Sequence, residues 1–212
     1  MLQSFRQWPR AGTRRPRLLV ALALVGFLYG VIGLITAWST VVALTGSHDR
    51  FTSAVRTDPA RMLGLPQTLG TPAEQARVAD RKADALWARR GVLLPLAGIN
   101  AITALLVLLG LSRTMARGGK NARWGRSAWQ LGALVGLPCL AMETLVAWLH
   151  SRDLIAAISA LHDPLADMLR ELLPMRDHIV LGQALVVGVY LAGTAWYLTT
   201  QAVARYCADV DA

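Results

Sequence analysis

Four stretches of the chain, Leu18 to Leu44, Gly91 to Leu111, Ala128 to Leu149 and Ile179 to Leu198, are nearly unbroken apolar runs. The intervals 1–17, 45–90, 112–127, 150–178 and 199–212 are polar. A helix of about 20 apolar residues crosses about 30 Å of hydrocarbon, and each run is long enough to do so. Backbone amides and carbonyls find no water there, so they must bond within their own segment. The pattern predicts an all-α integral membrane protein, with transmembrane helices over about 18–44, 91–111, 128–149 and 179–198. Two helical hairpins would form a single four-helix transmembrane domain over 1–212, with 45–90 as a first outer loop and 150–178 as a second.

The loops carry helix signals of their own. Thr71, Pro72 and Glu74 read as a capping-box start, and the alanine- and charge-rich run to Arg90 should continue straight into the second span. Phe51 to Gly70, with Pro59, Gly64, Pro66 and Gly70, should be irregular. In the second loop Asp163 and Pro164 start an amphipathic helix. Its stripe of Leu165, Met168, Leu169, Leu172 and Leu173 should pack on the bundle, and Pro174 should end it. Leu24, Val25, Gly26, Ala37 and Trp38 match Leu134, Val135, Gly136, Ala147 and Trp148 at one constant offset, which suggests duplication of a two-helix unit.

Tryptophan and charge add orientation. Trp38, Trp87, Trp124, Trp129, Trp148 and Trp196 fall near span ends, as an aromatic belt at headgroup level would. Segments 1–17 and 112–127 hold five basic residues each and no acid, and Arg205 adds an eleventh. The 45–90 and 150–178 loops also hold eleven basic residues, but mixed with ten acids. Density of Lys and Arg predicts cytoplasmic N- and C-termini, in a multi-pass protein of the bacterial inner-membrane type. The core of a signal peptide is only about 7–15 apolar residues long. The first run, from Leu18 to Leu44, exceeds it and should remain as an anchor.

Across its 212 residues the chain is 54% hydrophobic and 17% charged, with mean hydropathy +0.41. That excludes a disordered chain and leaves no room for a separate soluble catalytic domain. The net charge of +9 sits beside membrane spans and suits anionic headgroups better than nucleic acid. Two cysteines cannot frame a disulfide scaffold or a multi-cysteine metal site.

Glu143 is the single charged side chain inside a span, about 10 Å below the outer surface as counted from His150. Asn100, Thr103, Thr36 and Gln183 lie at comparable depth and could join it in an intramembrane polar cluster. A protonated Glu143 bonded to Asn100 or Gln183 and fixing helix register is the preferred reading; proton or ion handling is the alternative. His48, His150 and His178, near span ends with aspartates close by, are the candidates for a metal, but none of their spacings is a ligand pattern. His162 shares the same side. No cofactor is expected, and no phosphate loop or nucleophile elbow supports an enzyme. Gly26 with Gly30, and Gly132 with Gly136, have the spacing that lets helices approach closely. The expected partners are the lipid bilayer and, on any surplus glycine face, another membrane protein or a second copy. The expected role is non-catalytic: an accessory, assembly or sensing subunit whose outer loops meet a partner or ligand. A small transporter or channel component using Glu143 is the alternative, and an outer-face metal or redox protein using the histidines comes third.

Overall fold

The computed structural model describes residues 17–49, 52–53, 71–115, 121–159 and 164–211. Of these, 95% are helical and none lies in a strand. The elements are α1 (Arg17–Thr45), α2 (Pro72–Ala88), α3 (Arg90–Met115), α4 (Ala122–Ser159), α5 (Pro164–Tyr197) and α6 (Gln201–Asp211). Helices α1, α3, α4 and α5 are long and apolar enough to cross a membrane, yet only 17–28% of their most apolar windows is buried within the protein. Leu24, Phe27, Leu28, Ile32 and Ile35 on α1, and Val186 and Val189 on α5, are exposed. A surface this apolar would aggregate in water and is solvated by lipid tails.

Several helices outrun the apolar runs. α4 continues through the polar residues 150–159, and α5 begins at Pro164. The two helices thus take up most of the loop expected over 150–178; residues 160–163, His162 among them, lie outside the described residues. Pro174, expected to end the amphipathic helix, lies inside α5. A proline removes one helical hydrogen bond, and here the turns before it are anchored by buried Leu165, Leu169 and Leu173 while the apolar run follows it. The expected passage of α2 into the second span is broken at Arg89 alone, whose backbone N–H bonds back to the Leu86 and Trp87 carbonyls. The capping box is present: Thr71 Oγ1 accepts from Glu74 N–H at 3.3 Å, and Glu74 Oε2 accepts from Thr71 N–H at 2.6 Å. Most of Phe51 to Gly70, and the basic residues of 1–16 and 116–120, lie outside the described residues.

The chain divides into two compact units. The first comprises Met1–Ala37, Gly98–Cys139 and Val186–Ala212. Its core gathers Leu19, Ala23, Val107, Trp129, Leu198, Val203, Tyr206 and Cys207. Trp129 is 0% exposed, so it is a core residue and not part of an aromatic belt. Trp38, Trp124 and Trp196 are exposed. Within the interval 199–212, expected as a polar tail, Gln201–Asp211 form α6, with Val203, Tyr206 and Cys207 on one buried face at helical spacing.

Close approach holds this unit. A Cβ on Gly110 would stand 2.3 Å from Trp129 N and 2.7 Å from Gly125 O; one on Gly125 would stand 2.7 Å from Thr114 N. The backbones of α3 and α4 are thus in direct contact. Gly26 lies under the Tyr190 hydroxyl, which donates to Leu22 O at 3.1 Å, and Gly30 lies under Leu108. Gly132 faces Val107, and Gly136 faces Leu191, Tyr29 and Thr103. Gly26 and Gly136, which correspond in the suggested duplication, thus meet unlike neighbours.

The second unit comprises Trp38–Ala97 and Leu140–Leu185. One core joins Val78 of α2 to Leu154 and Ile158 of α4 and to Leu165, Ala166, Leu169 and Leu173 of α5. Another joins Leu44 to Ala79 and Ala83, flanked by Trp87, Leu93 and Leu94.

The contacts at Gly125 lead to a first prediction. Gly125→Ala should destabilise the protein by about 1–3 kcal/mol, because backbone atoms cannot yield to a methyl group. Gly182→Ala, where nothing lies within 4 Å, should be neutral or stabilising by up to about 1 kcal/mol through helix propensity. Thermal unfolding in one detergent compares the two; equal melting temperatures would refute the contact.

Candidate functional site

The second unit builds its site by extending apolar helix faces by one turn. On α4, His150, Leu154 and Ile158 are spaced i, i+4, i+8 and share a face. On α2, Lys82 follows Val78 by four residues; on α5, Arg176 follows Leu169 and Leu173 by seven and three. Val78, Leu154, Leu169 and Leu173 form one apolar layer, and Lys82, His150 and Arg176 are the residues one turn beyond it.

His150 is 7% exposed, and neither ring nitrogen hydrogen-bonds to a protein atom. Burial first, and then the positive charge of Lys82, Arg176 and Arg89, pulls the imidazole from its ordinary 6.5 down to about 4, against Asp153, so the ring is neutral at pH 7. Asp153 is already engaged: its Oδ2 accepts from Arg89 Nε at 3.0 Å and also from Arg89 Nη2. Burial, helped by Arg176, pulls the Lys82 ammonium from its ordinary 10.5 down to about 8. Positive charge thus surrounds the buried ring, which opposes a metal cation at His150 and favours an anion. At the start of α2, by contrast, hydrogen bonds from Thr71 lower the Glu74 carboxyl below its usual range.

The two other described histidines have separate settings. His48 Nε2 lies 3.4 Å from Asp84 Oδ1 and its ring lies 5.2 Å from that of Trp87. His178 Nδ1 lies 2.7 Å from Pro174 O and borders an open cavity of about 450 Å³ between α4 and α5, lined also by Leu145, Trp148, Asp177 and Leu181. Among the described residues no three His, Cys, Asp or Glu side chains gather as a metal site would require. Of the intramembrane polar residues, Thr103 is fully buried, Glu143 and Asn100 are half-buried, and Thr36 and Gln183 are exposed.

No protein-family model matches the chain, and no curated protein or solved structure matches it. The site therefore rests on its own geometry. Sequence reasoning singled out His150 but passed over Lys82, Arg89 and Arg176. The signal available was the continuation of each amphipathic stripe one turn past its last apolar residue.

Lys82 yields the second prediction, with its pH sign. Between pH 10.5 and about 8 the unfolded chain holds a proton that folded Lys82 has released, so stability falls as pH drops through this window. The full penalty, up to about 3 kcal/mol, then persists at pH 7. Lys82→Met should raise the melting temperature at pH 7, with the gain shrinking toward pH 10.5. A gain that is independent of pH would show that burial of the charge is not its cause. In the layer beneath, Leu169→Asp should cost at least about 2 kcal/mol, since Leu169 is buried and a carboxylate there would have no apolar-layer partner.

Proposed function

We propose that this four-helix multi-pass protein is a non-catalytic accessory or sensing subunit of the inner membrane. Its extramembrane helical cap, built from α2, the 150–159 end of α4 and the 164–178 start of α5, meets a ligand or partner in the outer compartment. The observation that carries this reading is the layer of Lys82, His150 and Arg176: a partly buried, positively charged recognition surface held by three helices over a shared apolar core. The acid-free basic segments 1–17 and 112–127 support cytoplasmic termini, which put the cap outside.

Two measurements test this. Reporter fusions after Lys120 and after Ala212 should report cytoplasm and a fusion after Gly70 the outer compartment; the reverse pattern refutes the orientation. The tagged full chain, extracted gently from its native membrane, should bring down a defined membrane partner. A chain that purifies alone and catalyses proton-dependent flux in vesicles, abolished by Glu143→Gln at unchanged melting temperature, would replace this reading with the transporter.

A further inference from the structure

The cationic layer of the second unit has the chemistry of a particular ligand. Three donors, the Lys82 ammonium, an imidazole N–H of His150 and the Arg176 guanidinium, come from three helices. All three residues carry donors suited to oxygen, and none of them is an anion. The one acid that acts on the histidine, Asp153, accepts two hydrogen bonds from Arg89. A carboxylate offers two oxygens and a phosphoryl group three or more, so the phosphoryl group matches three donors held one turn beyond a shared apolar layer. Arginine adds a planar fork suited to phosphate, and lysine a compact charge.

The location fits the same chemistry. His150 directly follows the apolar run that ends at Leu149. On α4, within a turn of His150, Arg152 lies over the Trp148 ring at 4.1 Å, and where α2 meets α3 Arg90 lies over the Trp87 ring at 4.7 Å. Tryptophan with stacked arginine is a headgroup-level pairing. We infer that Lys82, His150 and Arg176 form a binding site for a phosphoryl oxyanion, presented either as the headgroup of an anionic phospholipid or as free phosphate. The proposal rests on the reading that the cap meets a ligand or partner, and it names the ligand class. Binding would supply the acceptor that the His150 ring nitrogens lack among protein atoms.

The test uses the full chain in a neutral detergent at pH 7 and constant ionic strength. Inorganic phosphate is titrated against chloride in one arm. In the other, phosphatidylglycerol is titrated against phosphatidylcholine in mixed micelles. Melting temperature and calorimetric affinity are read in both. A saturable rise with phosphate assigns the free anion; a rise with phosphatidylglycerol alone assigns the headgroup. In either case Lys82→Met and Arg176→Gln should each weaken binding at least tenfold, whereas Arg205→Gln, exposed on α6 in the first unit, should leave it unchanged. Lys82→Met removes a buried charge and Arg176 is exposed, so both variants should fold. No response above the chloride and phosphatidylcholine controls, or a full response in both variants, overturns the site. Failure here with a partner still copurifying leaves the reading of the cap standing, and loss of that partner from the wild-type chain removes the reading itself.

Discussion

Lipid solvates apolar side chains as well as a protein interior does, so hydrophobicity cannot draw spanning helices together. With at most 28% of any span's apolar window buried, what remains is close contact between backbones. Gly110 and Gly125 provide it between α3 and α4, where either Cβ would overlap backbone atoms of the other helix. Dispersion between closely opposed surfaces, and secondarily the Tyr190 bond to Leu22 O, holds the first unit. The buried Trp129 depends on that approach, since its backbone N is the atom nearest Gly110.

The second unit includes helix surface beyond the apolar runs, where water restores the hydrophobic drive. Each fully buried leucine contributes about 1.5–3 kcal/mol. Val78, Leu154, Ile158, Leu165, Leu169 and Leu173 together outweigh the roughly 3 kcal/mol that the buried Lys82 charge costs at pH 7. A destabilising charge held in place by a larger apolar core marks a functional-site candidate, and a ligand that binds the folded chain there would stabilise it. Of the three described histidines, His150 alone continues a core face, whereas His48 and His178 lie beside Asp84 and the Pro174 carbonyl.

The medium and the helices were legible in the chain's own pattern, because both follow from local rules. Unbroken apolar runs admit only helix in lipid, and α1 and α3 extend beyond the runs only slightly. The Thr71–Glu74 capping box is equally local, because its two partners lie within one helical turn. Long-range packing governed the rest. Whether Pro174 would break α5 depended on it, since the loss of one helical bond is outweighed only by neighbours distant in sequence, Val78 and Leu154 among them. Packing also turned Gln201–Asp211 into a docked helix and withdrew Trp129 from the interface. The cationic site was hidden for the same reason. Lys82, His150 and Arg176 stand far apart along the chain, and their hydrogen-bond donors share one end of the cap only once three amphipathic faces share one apolar layer.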